Sequence, residues 1–187
     1  MRRDRLIHVA TMLLFAVIAL PLQASAASNS FWKTPTIQGY GKIHYLADAA
    51  YQPDPKATYK IVFALTKGAK SPDQVNGSLD HVARAVNLYV AAGVPLDHLK
   101  FVAVASGAAT PLVLDNAHYR AKFGVDNPNL KLIEELRKAG VDVSVCAQAV
   151  AEHHFQYGWV SKHVTLALSG LTTTTVLQQQ GYALSPL

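Results

Sequence analysis

Two rhythms of apolar and polar positions alternate along this chain. Residues 59–66 and 100–105 are near-continuous apolar runs, which suits strands covered on both faces of a parallel sheet. Between them Leu79, Val82, Ala83, Val86 and Val90 recur at helical spacing, opposite Asp80, His81, Arg84 and Asn87. Asn76 or Ser78 caps that helix, and Gly93 with Pro95 stops it, so the first unit is strand, helix, parallel strand. Thr110-Pro111 pairs a cap with a proline at the first helical position and predicts a short helix. Asn127-Pro128 repeats the device before the stripe Leu132, Ile133, Leu136 and Ala139, which ends at Gly140. Residues 141–146 alternate strictly, with Val141, Val143 and Val145 on one face and Asp142, Ser144 and Cys146 on the other. Residues 147–152 are strong helix formers. Residues 163–168 predict a fourth strand, 169–180 a helix stopped by Gly181, and 182–184 a short last strand. The threonines at 172–175 weaken that helix, because β-branched residues lose rotamer freedom in one. The pattern is α/β, a three-layer α/β/α arrangement around a mainly parallel sheet of about five strands.

The ends of the chain read differently. Arg2, Arg3 and Arg5 precede an apolar run from Met12 to Leu20, then Pro21 and the small residues Ala24-Ser25-Ala26. That is the layout of a secretory signal, which predicts export, a periplasmic location and a mature start near Ala27. The run is shorter than the roughly 20 residues of a spanning helix, so no stable membrane insertion is expected. Residues 27–57, rich in aromatics, proline and glycine, predict an ordered arm with at most one short strand at 42–46. Residues 58–187 form the α/β domain.

Charge narrows the partners. The 17 basic and 12 acidic residues become 14 and 11 without residues 1–26, a net charge of +3. Lys56, Lys60, Lys67 and Lys70 are scattered without interleaved aromatics, which argues against nucleic acid. The exposed aromatics of the arm call for a surface to cover them, on the domain or on another copy of the chain.

Candidate chemistry centres on Cys146, the one cysteine, which cannot form an internal disulfide. It sits where a strand hands over to a helix, a position that favours a thiolate. The alternative is a small buried hydrophobe. In a parallel sheet, ligands bind at the carboxyl ends of the strands. That rule gathers Thr66 and Lys67, Ser106 and Gly107, and Cys146 and Gln148 on one rim, with Lys67 placed to stabilise a thiolate.

Residues Phe123-Gly124-Val125-Asp126-Asn127-Pro128-Asn129, the stretch from Ala139-Gly140-Val141 to Cys146-Ala147-Gln148, and Leu177-Gln178-Gln179-Gln180-Gly181-Tyr182 resemble the DsrE/DsrF-like family, in its exported branch. The resemblance implies an α/β/α domain that assembles into homo-oligomers. It further implies that Cys146 matches the cysteine that carries a persulfide in sulfur-relay members. Many relatives place a histidine before the glycine that follows the second strand; here that residue is Ser106.

Histidines offer another chemistry. His153 and His154 follow Cys146 on the same predicted helix, and His118 and His163 could approach from neighbouring elements. Adjacent histidines point about 100° apart on a helix and the i, i+4 pair is absent, so no metal site and no cofactor are expected. Gly-x-Ser-x-Gly, dinucleotide and phosphate-loop motifs are missing. Two functions remain open. One is sulfur handling through a Cys146 persulfide, with a donor or acceptor protein or a small sulfane-sulfur compound as partner. The other is a non-catalytic binding or assembly module in which Cys146 only packs.

Overall fold

The computed structural model describes residues 31–187; the expected signal segment and start at Ala27 lie outside them. Five strands form one parallel sheet, β1 (Tyr59–Leu65), β2 (Leu99–Ala105), β3 (Asp142–Cys146), β4 (Thr165–Ala167) and β5 (Ala183–Pro186), in the order β4-β3-β2-β1-β5. The register aligns Ala64 with Val104 and Val104 with Ser144, so the even-numbered residues of the three central strands share a face. The odd-numbered face carries Phe63, Leu65, Phe101, Ala103, Ala105, Val143 and Val145, all buried. Against it pack α1 (Gly77–Ala91) and α3 (Leu130–Lys138) through Leu79, Val82, Val86, Leu132, Ile133 and Leu136. The even face is covered by α5 (Gly170–Gln179), while α4 (Ala147–Glu152) continues from the end of β3 and sends Val150 into the core on the odd side. No helix among the described residues is long and apolar enough to cross a membrane.

Local chemistry explains where the elements differ from expectation. The chain leaves β2 through Gly107, whose φ of +52° is open to glycine, and at once enters a 3-10 turn over Gly107–Val113. Pro111 therefore lies inside that turn instead of opening a helix. Thr110 Oγ1 donates back to the Gly107 carbonyl at 2.7 Å. The α3 helix starts at Leu130, beyond Asn127-Pro128, because the Asn127 side chain is committed to the preceding loop. The fourth strand shrinks to three residues, since Val164 N–H turns back to the Ser161 carbonyl. Residues 42–46 form no strand, only a single bridge pairing Ile43 with Lys33. Despite its threonines α5 forms: Ser169 Oγ caps Leu171 N–H, and the Thr174 and Thr175 hydroxyls bond to carbonyls one turn back.

One helix, α2 (Asn116–Phe123), has no counterpart in the hydrophobic pattern, since Tyr119 is its one buried residue. It is set by its caps. Asp115 accepts the His118 N–H at 2.9 Å, and Gly124 adopts the left-handed conformation at the other end. Burial alone would raise the Asp115 pKa, but hydrogen bonds from the His118 N–H and ring, the His118 charge and the Ala117 N–H outweigh it and leave the carboxyl below its ordinary value. A depressed carboxyl contributes stability above its unfolded pKa and loses it as pH falls through the folded one. Asp115→Ala should therefore destabilise by about 1 kcal/mol at neutral pH and by less in acid. Asp115→Asn should keep the cap and flatten the acid side of the profile. Urea unfolding between pH 3 and 7 reads both.

The arm, residues 31–57, lies on α1. Ile37 and Ile43 are buried, and Ile37 joins the core. Asn87, fully buried on α1, accepts the N–H groups of Thr36 and Ile37 with Oδ1 and donates through Nδ2 to the carbonyls of Tyr40 and Gly41. Phe31, Trp32, Leu46 and Tyr51 stay exposed.

Candidate functional site

The even-numbered face of the sheet opens at its carboxyl end into a cleft of about 480 Å³. Period-two alternation puts Ala64 and Thr66 of the first strand, Val104 and Ser106 of the second, and Cys146 of the third on that same side. Gly107, Gln148, Ala149, Glu152, Ser169, Gly170, Leu171 and Thr174 complete the lining. Five of the six residues gathered from the sequence thus meet here: Thr66, Ser106, Gly107, Cys146 and Gln148.

Lys67 does not. Alternation turns it to the opposite side of the β1 end from Thr66. It lines a separate cleft of about 630 Å³ with Lys70, Ser78, Asp80 and His81. Its expected electrostatic support for a Cys146 thiolate falls away. Asp142 shares the Cys146 face but lies four residues down the strand, about 13 Å at 3.3 Å per residue. It pairs with Arg137 and accepts the Thr165 hydroxyl at 2.8 Å, so it is no partner for the thiol.

Cys146 occupies the strand-to-helix junction, at the bottom of the cleft with 6% of its surface exposed. Its Sγ accepts the Ala149 N–H at 3.4 Å and so caps α4. No acceptor for the S–H and no hydrogen-bond partner for Ser106 Oγ is present among the described residues. Gln148 Nε2 donates to the Leu168 carbonyl at 3.2 Å, tying the linker between β4 and α5 to the cleft wall.

The histidines disperse. The α4 helix ends at Glu152, with His153 at its cap and His154 at φ +56°, so neither lies on the helix where the sequence placed them. His153 Nε2 donates to the Gly107 carbonyl at 2.9 Å and thus supports the turn that carries Ser106. His118 is bonded to Asp115 and stacks on Trp159 at 4.6 Å. His163 faces another cavity, with Asp115, Glu134 and Lys162. No group of three histidine, cysteine, aspartate or glutamate side chains among the described residues is placed to hold a metal ion.

Two sets of residues were not anticipated. Glu152, Ser169, Gly170 and Thr174 reach the cleft from the ends of α4 and α5, and no spacing rule links them to Cys146. The other set is a chain of buried asparagines that fixes the loops above the strands. Asn127 donates to the carbonyls of Leu112 and Leu114 and accepts from Asn129. Asn129 accepts the Asn76 N–H, and Asn76 caps α1 while donating to the Lys67 carbonyl. Each buried amide is paired, which such residues require. The Asn127-Pro128-Asn129 motif is the visible sign of this network.

A parallel five-stranded sheet with its single cysteine at the end of the third strand is the setting in which sequence comparison becomes informative. The DsrE/DsrF-like family model matches residues 59–185. The chain belongs to this family. The family is associated with sulfur relay. Among solved structures, a protein of unknown function from Methanobacterium thermoautotrophicum, MTH1491, is similar with a TM-score of 0.51 and 17% identity. That match covers 69% of this chain and 99% of the other, and it shows the fold alone. A search of curated proteins gave no match. The matched region thus begins at the first residue of β1, and the arm lies outside it.

Proposed function

We propose that this DsrE/DsrF-like protein is a sulfur carrier, exported to the periplasm, that holds a persulfide on Cys146. The observation that carries the reading is the placement of the one thiol at the bottom of the cleft at the carboxyl end of the sheet. In the proposed step the Cys146 thiolate attacks the outer sulfur of a hydropersulfide donor, R–S–SH. A new S–S bond forms at Sγ. The donor S–S bond breaks with its electron pair on R–S, and the proton lost by the cysteine converts that group to R–SH. No external oxidant is consumed. A donor protein or a small sulfane-sulfur compound supplies the sulfur, and a second thiol takes it up by the same exchange. Incubation with a hydropersulfide followed by intact-mass measurement tests the step, which predicts a gain of one sulfur atom.

A second reading has its own observation. Cys146 is buried and its sulfur already caps α4, which is what a structural cysteine in a binding or assembly module would do. Native-state alkylation separates the two: labelling without denaturant favours the carrier, and labelling only after unfolding favours packing.

Assembly into homo-oligomers belongs to the same proposal. Residues 164–187 contain no Asp, Glu, Lys, Arg or His, yet they supply both edge strands and α5. Leu168 is 71% exposed and Leu171 81%, with Leu166, Val176 and Leu184 also open. Copies of a net-positive protein repel one another least where a face lacks charge. The edges themselves are poor docking strands, because β4 has three residues and β5 ends in Pro186. Contact through α5 and its flanks is therefore expected. Light scattering at micromolar concentration should show an oligomer that Leu168→Lys converts to monomer; a monomeric unmodified protein would overturn this.

A further inference from the structure

Gly170 opens α5, and its backbone does not need to be glycine. Its φ lies outside the left-handed region, and Ser169 already supplies the cap. Glycine is a poor residue within a helix, about 1 kcal/mol worse than alanine. What the missing side chain leaves is space beside Ser106 and the Cys146 side chain. A Cβ placed on Gly170 would lie 3.5 Å from Ser106 Cβ, 3.6 Å from Ser106 Oγ and 3.7 Å from Cys146 Cβ. These are ordinary van der Waals separations, so the gap takes a methyl-sized group. The Ser106 hydroxyl borders it and Cys146 reaches it through Cβ; neither the Ser106 hydroxyl nor the Cys146 thiol has an acceptor among the described residues.

We propose that Gly170 is the specificity-determining residue of the cleft, and that the space it leaves between Ser106 and Cys146 seats the single sulfur atom transferred to the thiol. The inference rests on the carrier reading and adds the group that the cleft admits. A sulfane sulfur is about the size of a methyl group. The Ser106 hydroxyl can donate to the charge that this outer sulfur bears. No lysine, arginine or histidine lines the cleft, so that hydroxyl is the nearest side-chain donor the lining offers to it. Glu152 is the one carboxylate there, and it disfavours doubly charged oxyanion donors over a hydropersulfide.

The test compares the full chain with Gly170→Ala and Gly170→Val, using glutathione hydropersulfide as the donor. The rate of single-sulfur addition at Cys146 is read by mass spectrometry. We expect a drop of about tenfold for alanine and a larger one for valine, while the melting temperature of Gly170→Ala stays level or rises, as helix propensity dictates. That combination separates blocked space from damaged folding, and alkylation in denaturant checks that the thiol is intact. Alanine and valine variants that load sulfur at the unmodified rate would overturn the role of Gly170 while leaving the carrier reading in place. An unmodified protein that takes up no sulfur would overturn both.

Discussion

Replacing Asn87 by alanine is expected to release the arm, residues 31–57, from the domain at a cost of about 3 kcal/mol. The side chain makes four hydrogen bonds to arm backbone, from a position with no exposed surface. At roughly 0.5–1.5 kcal/mol net for each bond the loss could reach about 6 kcal/mol. Part returns, because the orphaned backbone groups of Thr36, Ile37, Tyr40 and Gly41 reach water once the arm lifts. No other arrangement of the arm recovers the rest. At Gly41 the chain runs so close to α1 that a Cβ would lie 2.2 Å from the Arg84 nitrogen, and φ there is +58°, so the docking geometry is fixed by glycine. Asn87→Asp should be no better, since it keeps the acceptor for Thr36 and Ile37 but sets a charged oxygen against the carbonyls of Tyr40 and Gly41. Urea unfolding measures the cost. Limited proteolysis shows whether it falls on the arm, by new cleavage between residues 31 and 57 with the sheet protected.

The larger functional effect is expected at Cys146. Its sulfur has two roles that substitution can pull apart. Cys146→Ala removes the acceptor of the Ala149 N–H and should cost about 1 kcal/mol, the usual worth of a helix cap. Cys146→Ser restores an oxygen acceptor at the same place and should cost less. Both should abolish sulfur uptake completely, because Cys146 is the only thiol in the chain. Loss of uptake in a serine variant of nearly unchanged stability isolates the chemistry from the cap. A serine variant that differs only in stability, beside an unmodified protein that takes up no sulfur, would instead assign Cys146 to packing.

The framework was legible because it rests on burial of both faces. Residues 59–66 and 100–105 are apolar throughout and became β1 and β2 within a residue or so. The alternation at 141–146 also assigned the faces of β3 correctly: its valines joined the core beneath α3, and Cys146 emerged on the other face. Period alone could not say how far a face extends. It put Lys67 on the thiol rim although the next residue along a strand points the other way, and the face that Asp142 shares with Cys146 carries the two about 13 Å apart along the strand. The α2 helix escaped because caps, not an apolar stripe, define it. Helix α5 was doubtful on propensity and formed because its threonine hydroxyls found carbonyls within the helix. Gly170 could not be read from spacing at all: it meets Ser106 and Cys146 only after β2, β3 and α5 have packed.

The central claim is that the cleft thiol accepts one sulfur atom. Its most direct measurement is the intact mass of the native protein after exposure to glutathione hydropersulfide, with the site located by peptide mapping. The account predicts an added mass of one sulfur at Cys146, removed by a thiol reductant and absent in Cys146→Ser. A native protein whose mass does not change, and whose Cys146 labels only after unfolding, would contradict it.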